Sequence, residues 1–384
     1  MYRIVLNETS YYGAGCRSVI AEEVRKRGFR KALLVTDKDL IRFGVAEKIE
    51  RVLADAGIPY EIYSEIKANP TIRNVQQGVE AFKRSGADFM VALGGGSSID
   101  TAKAVGIIVN NPEFADVRSL EGVADTKHRA VPTFAVPTTA GTGSETTIAA
   151  VITDAATHHK YAIMDLNLVP LYAVMDPELT RDLPQKTTST TGMDALTHAV
   201  EAYLCWTNNT AESIRLAEEA VIAIFKYLER AYNNGSDMEA REEMLKASFK
   251  AGFAFTRAGV GNVHAIAHTM GGIYGTPHGL ANAVILPIVL EDYGEVVYKK
   301  LAHLAEISGV ARTGSDEEKA KAFIAEIYAM NKRMGIPEGL HVEEKDIPQM
   351  VEWALAEANP TYPVPVLYDE ARCAAVIRRI NERA

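Results

Sequence analysis

Asp88-Phe89-Met90-Val91-Ala92-Leu93-Gly94-Gly95-Gly96-Ser97-Ser98-Ile99-Asp100 is the stretch whose reading decides the fold. Residues 88–93 form a buried-strand candidate that runs straight into a glycine turn, and a helical pattern follows over 101–109. Glycine lets the backbone approach an anion closely, and the free amides and dipole of a helix start favour negative charge. The stretch therefore reads as a phosphate site. Ile99 stands where a G-x-G-x-x-G fingerprint needs its third glycine, and no G-K-[ST] follows as in a P-loop. A second loop, Pro137-Thr138-Thr139-Ala140-Gly141-Thr142-Gly143-Ser144-Glu145, also follows an apolar run and adds hydroxyl donors. Either loop alone reads equally well as a tight structural turn. Two of them, each after a strand, favour a dinucleotide over a lone phosphate.

Outward from these loops, the first half alternates short apolar runs (4–6, 32–36, 89–93, 133–136, 172–175) with amphipathic stretches (19–27, 45–56, 74–84). That alternation predicts βαβ units and a mostly parallel sheet. Near Asp182-Leu183-Pro184 the texture changes. Beyond it the periodicity is helical, over 194–204, 211–232, 239–256, 279–292, 316–334, 343–357 and 368–382, broken by turns such as Asn234-Gly235 and Asn359-Pro360. The expected organisation is an α/β dinucleotide-binding domain over 1–183 and an all-α metal-binding domain over 184–384, with a ligand cleft between them.

At 384 residues, 47% hydrophobic and 24% charged, the chain has the proportions of a globular protein with room for two domains. A formal net charge of −9 and the lack of a basic run argue against a nucleic-acid partner. Cys16, Cys205 and Cys373 form no C-x-x-C pair and no disulfide framework. The N-terminus is too poor in apolar residues for a signal peptide, and no run approaches the roughly 20 apolar residues of a membrane span. The chain reads as cytoplasmic, with no membrane partner.

Asp37 ends the run 32–36, where a carboxylate can bind both hydroxyls of an adenosine ribose and repel a 2′-phosphate, favouring NAD over NADP. It precedes the first glycine loop, whereas the usual arrangement places the acid about 20 residues after it. A helix N-cap is the equal alternative.

In the second half, Asp194 and His198 are spaced i, i+4, which puts both on one helix face. His264 and His268 repeat that spacing, and His278 follows in Thr276-Pro277-His278-Gly279. Singly, each reads as a surface hydrogen bond or a satisfied core histidine. Together they form one carboxylate with several imidazoles, a set suited to a divalent first-row metal such as Fe or Zn. Both histidine segments lie among glycines and apolar residues, which supports the metal reading. Spacing leaves open which two of His264, His268 and His278 complete the set.

The segments GGGSSIDTAKA (94–104), PTTAGTGSETT (137–147), GMDALTHAVEAY (192–203) and the histidine-rich stretch 261–279 resemble the iron-dependent, group III alcohol dehydrogenase family. The resemblance covers essentially the whole chain. LNET (6–9), NNPEFADVRSLEG (110–122) and TPHG (276–279) point within that family to the branch acting on lactaldehyde and 1,2-propanediol. The resemblance implies NAD(H)-dependent interconversion of small alcohols and aldehydes at Fe2+, or at Zn2+ or another divalent ion, in a homodimer. It implies Asp194, His198, His264 and His278 as metal ligands and His268 as the proton-relay group. It places Asp37 on the ribose, and Gly95, Gly96, Ser97, Ser98 and Asp100 on the pyrophosphate side. Asn69, Thr138, Thr139, Thr142, Lys160, Leu179 and Leu183 line the rest of the cofactor, and Ala149, Phe255 and Val260 the substrate pocket. The branch carries asparagine and leucine where this chain has Ala149 and Val260, so the pocket is expected to admit larger aldehydes.

The expected chemistry follows from charge. A dication with one carboxylate keeps a net charge near +1 and polarises a carbonyl oxygen, and the developing alkoxide then needs a proton, which an imidazole supplies near neutral pH. The N-terminal apolar and aromatic residues Ile4, Val5, Leu6, Tyr11 and Tyr12 are expected to form a strand that pairs between subunits. The alternatives are a glycerol-dehydrogenase-like polyol oxidoreductase and a dehydroquinate-synthase-like lyase. The lyase would need clustered Lys and Arg around Asp194 and His264, where only Arg257 stands nearby.

Overall fold

A computed structural model describes residues 5–359 and 361–384; Ile4 and Pro360, each part of an expectation above, lie outside the described residues. The chain divides into two compact units, Met1–Asp182 and Leu183–Ala384.

The first unit is built on β1 (Thr9–Tyr12), α1 (Val19–Arg27), β2 (Ala32–Val35), α2 (Lys38–Arg42), α3 (Val45–Asp55), β3 (Tyr60–Tyr63), α4 (Ile72–Ser85), β4 (Phe89–Gly94) and α5 (Gly96–Asn110). It continues with β5 (Gly122–Val123), β6 (Thr133–Pro137), β7 (Ala149–Asp154), β8 (His159–Met164) and β9 (Tyr172–Met175). Six strands form one parallel sheet in the order β1-β9-β6-β4-β2-β3. Successive side chains of β4 point to opposite faces. Phe89, Val91 and Leu93 pack with Ile20, Val24, Ile49 and Leu53 from α1 and α3, while Met90 and Ala92 pack with Val75, Phe82, Ile99 and Val105 from α4 and α5. Burying each large apolar side chain contributes roughly 1.5–3 kcal/mol, so the central strands are apolar throughout rather than alternating.

Three details differ from the sequence reading. Among the described residues the first strand is Thr9–Tyr12, which stands in parallel register with Tyr172 to Met175; residues 5–7 are not in a strand. The helix after the glycine turn begins at Gly96, so Gly96, Ser97 and Ser98 are its first turn rather than a loop before it. A second sheet, β5-β8-β7, was not anticipated; along its β7 strand buried and half-buried positions alternate, although residues 148–152 read as a short apolar run.

Among the described residues the second unit has no strand; its helices are α6 (Gln185–Leu204), α7 (Ala211–Asn233), α8 (Met238–Ala258), α9 (Asn262–Tyr274), α10 (His278–Tyr293), α11 (Glu295–Ser308), α12 (Asp316–Arg333), α13 (Ile347–Ala358) and α14 (Glu370–Glu382). Helix α6 starts at Gln185, nine residues before the expected 194, and takes in the polar run Thr187-Thr188-Ser189-Thr190-Thr191. The hydroxyls of Ser189, Thr190 and Thr191 donate back to Lys186 and Thr187 carbonyls, so residues usually neutral or poor in helices are satisfied inside one. Among the described residues no helix is long and apolar enough to cross a membrane.

Candidate active site

In the first unit, the chain steps from β2 outward to β3 and then returns to β4 on the other side of β2. Open α/β sheets bind ligands outside the carboxyl ends of their strands at such a reversal. Val35 stands opposite Ala92 in register, so Asp37 and Gly94 leave adjacent strands at the same level. Asp37 caps α2, its Oδ1 accepting from Leu40 N at 2.9 Å. Leu40 in turn lies 3.4 Å from where a Cβ on Gly94 would fall.

Gly94 has φ 148°, where a side chain is strained, and its Cβ would meet Ser98 Oγ at 2.4 Å. The second loop folds onto the first: a Cβ on Gly95 would lie 3.2 Å from Thr139 Oγ1, and one on Gly96 would lie 2.8 Å from Thr142 Cγ2. Thr138 N donates to Gly94 O at 3.0 Å. Gly94 is thus required by its own backbone conformation and by Ser98, while Gly95 and Gly96 leave room for the threonine loop packed against them, and the first amides of α5 stay available to an anion. These residues fit a phosphate-bearing cofactor. Ser98 is buried, and the Asp100 carboxylate is engaged internally, accepting from Ser144 Oγ at 2.5 Å and Val151 N at 3.0 Å. Asn69 takes a left-handed φ of 56° and accepts from Lys160 Nζ at 3.0 Å. Leu179 is buried beneath the sheet, whereas Leu183 belongs to the second unit.

Under the threonine loop lies a buried pair of ionisable groups. Lys103 Nζ donates to Thr147 O, Thr147 Oγ1 and Ala149 O, each at 2.9 Å, which fixes the start of β7 where Ala149 stands. Burial pulls Lys103 down to about 8, partly opposed by Asp100 and Glu145. Burial pushes the Glu145 carboxyl up to about 7.

In the second unit, Asp194, His198, His264 and His278 each offer a ligand atom, and these atoms all lie within 4.8 Å of one another. Asp194 and His198 come from α6, His264 from α9, and His278 is the first residue of α10. Gly279 makes that meeting possible: a Cβ there would fall 2.4 Å from the Thr190 carbonyl oxygen, so only glycine lets α10 approach the backbone of α6. Asp194 is buried, and its Oδ1 lies 3.5 Å from His278 Nε2 and 4.0 Å from His264 Nε2. One carboxylate with three imidazoles, taken out of water, is a donor set that fits a divalent transition metal.

Spacing left His264, His268 and His278 equivalent; folding separates them. His268 turns Nδ1 to Glu357 Oε1 at 2.7 Å and stacks on His278 with ring centroids 5.2 Å apart. Tyr362 donates to the same Glu357 oxygen at 2.5 Å. Phe255 stacks on His198 at 4.3 Å, and Val260 is half-buried.

Sequence reasoning missed three polar neighbours of this cluster. Glu201 stands one helical stripe on from Asp194 and His198, at i+7, and its Oε2 lies 2.5 Å from His264 Nδ1 while Oε1 accepts from Val263 N at 2.8 Å. With Nδ1 donating, His264 Nε2 presents its lone pair to the cluster. Burial pushes the Glu201 carboxyl up to about 8, against the backbone donors of Val263, Gly261 and His264. Asn282 lies at i+4 from His278 and donates to Asp194 Oδ1 at 2.6 Å. The i+7 and i+4 spacings were readable signals. Glu357 had none, since 89 residues separate it from His268.

Family models for the iron-containing alcohol dehydrogenases match residues 7–177, and for the C-terminal part of that family residues 188–380. The chain is 41% identical over 360 residues to lactaldehyde reductase of Escherichia coli (strain K12), covering 92% of this chain and 93% of that protein. A crystal structure of 1,3-propanediol oxidoreductase superposes with a TM-score of 0.94 at 37% identity, covering 99% of this chain and 100% of the other. Sulfoacetaldehyde reductase from Bifidobacterium kashiwanohense, solved in complex with NAD+, superposes with a TM-score of 0.87 at 26% identity over the full length of both chains.

Proposed function

Because the chain belongs to the iron-containing alcohol dehydrogenase family, we propose that it transfers hydride between NAD(H) and a small alcohol or aldehyde, with Fe2+ or Zn2+ as its metal. The observation that carries this reading is the convergence of Asp194, His198, His264 and His278 within 4.8 Å.

When bound, the metal supplies Lewis acidity toward a carbonyl oxygen, and the nicotinamide supplies the hydride. The chain's own residues do the rest. Asp194, His198, His264 and His278 hold the cation, and the single carboxylate leaves the set with net positive charge. Glu201 fixes the His264 ring so that Nε2 faces inward. His268 carries the proton exchanged with the substrate oxygen, and Glu357, braced by Tyr362, fixes its tautomer. On the cofactor side, the amides of Gly95, Gly96 and Ser97 receive the pyrophosphate, with the hydroxyls of Thr139 and Thr142 beside them. Asp37 takes the ribose hydroxyls, while Asn69, Thr138, Lys160, Leu179 and Leu183 bound the remaining surface and Ser98 and Asp100 support the turn from within.

The substrate class we propose is a short aldehyde of the lactaldehyde or propanediol type, supported by the similarity to lactaldehyde reductase and 1,3-propanediol oxidoreductase. Ala149, Phe255 and Val260 shape its pocket. A homodimer joined along β1 fits that strand's place at the sheet edge, and a cytoplasmic setting fits Cys16, Cys205 and Cys373, which form no disulfide among the described residues. The test is NADH oxidation with a panel of short aldehydes, using anaerobically purified protein of known metal content. Turnover that disappears on chelation and returns with Fe2+ or Zn2+ is the expected result. Full turnover by the metal-free protein overturns the reading.

A further inference from the structure

Asn282 is fully buried and directs its Nδ2 toward three of the four candidate ligand atoms at once. It lies 2.6 Å from Asp194 Oδ1, 3.2 Å from His264 Nε2 and 3.1 Å from His278 Nε2. Its carbonyl Oδ1 is also buried and finds no hydrogen-bond partner. An amide so placed has given up one side of its hydrogen bonding, a cost of about 1–3 kcal/mol, to aim its donors at acceptors that would otherwise face one another. Those acceptors are a carboxylate oxygen and two imidazole nitrogens. Brought together without a donor or a cation among them, their lone pairs repel.

We propose that Asn282 is a positioning residue for the metal centre. Its amide holds the ligand atoms together before the metal enters, and selects which Asp194 oxygen faces the two imidazoles. The helix geometry supports this role. Asn282 follows His278 by one turn of α10, so the segment that delivers the last ligand also delivers the donor that orients the first. Partners of metal-bound residues typically change metal affinity by about 10–100-fold when lost. The proposal rests on the metal reading above, and the experiment keeps the two apart.

Metal-free protein is titrated with Co2+ against a chelating dye, and its thermal unfolding is followed with and without Co2+, for the wild type, Asn282→Leu and Asn282→Asp. Leucine keeps the volume and removes the donor. The expected result is a Co2+ affinity about 10–100-fold weaker and a lower melting temperature for the metal-free form. Aspartate keeps the shape but sets a second carboxylate against Asp194. The metal-free form should then melt lower than the wild type, while Co2+ should raise its melting temperature by more than it raises the wild type's. A purely structural role would lower both forms equally and leave the Co2+ increment unchanged. Wild-type Co2+ affinity in Asn282→Leu, or an unchanged increment in Asn282→Asp, overturns the proposal. Should the leucine variant not fold, the aspartate increment decides alone. A wild type that binds no Co2+ refutes the metal reading instead.

Discussion

Glu201 Oε2 and His264 Nδ1 lie 2.5 Å apart in the interior of the helical unit, and both side chains are almost fully removed from solvent. A buried carboxylate costs several kcal/mol unless it is paired, so this contact commits Glu201 to the histidine and the histidine to one tautomer. Replacing Glu201 by Gln keeps the volume and removes the fixed acceptor. Metal affinity should fall about 10–100-fold, measured by competition with a chelating dye, with the fold intact by circular dichroism. Unchanged affinity would show that Glu201 serves only the packing of α6 against α9.

The four-residue cluster and His268 make separable predictions. His264→Ala and His278→Ala should each abolish both metal content and turnover. His268→Ala should keep the metal and lose rate by about 10²–10⁴-fold, the usual contribution of a positioned acid or base. Elemental analysis beside steady-state kinetics reads both, and metal loss from His268→Ala would reverse the assignment.

Asp37 uses Oδ1 to cap α2, so its second oxygen remains for a ribose. Asp37→Gly removes the carboxylate that would repel a 2′-phosphate. The ratio of kcat/KM for NADPH over NADH should rise about tenfold or more, each factor of ten being roughly 1.4 kcal/mol. An unchanged ratio would leave Asp37 as a helix cap alone.

The buried Glu145–Lys103 pair sets a pH dependence of stability. Glu145 is neutral in both states below its ordinary 4.5; from there to about 7 the unfolded chain loses the proton that the folded one keeps. Its contribution is therefore lost as pH rises through that window, by roughly 3 kcal/mol at most. Lys103 acts in the opposite sense, contributing fully above 10.5 and less as pH falls toward about 8. Glu145→Gln should flatten the decline in melting temperature between pH 5 and pH 7.5, followed by calorimetry at several pH values. A decline as steep as the wild type's would place the titration elsewhere.

The sequence by itself determined the parts whose chemistry is local. The apolar run 89–93 ending in Gly94-Gly95-Gly96 reads as a buried strand entering a tight turn, and the i, i+4 pair Asp194/His198 shares a helix face wherever that helix lies. Composition also set the class of molecule, since charge and apolar content do not depend on packing. The reading was incomplete elsewhere: α9 and α11 were not among the expected helices, and β5, β7 and β8 were not among the expected strands.

Tertiary structure alone decided what depends on distance. Asp37 and Gly94 are far apart along the chain and side by side only because β2 and β4 are neighbours in the sheet. His264 and His268 are equivalent by spacing, yet Glu201 claims the first and Glu357 the second, from α6 and α13. Hydrogen bonds and ligand sets act over about 3 Å in space. Periodicity fixes the direction of a side chain from its own helix, not the neighbour it will meet there.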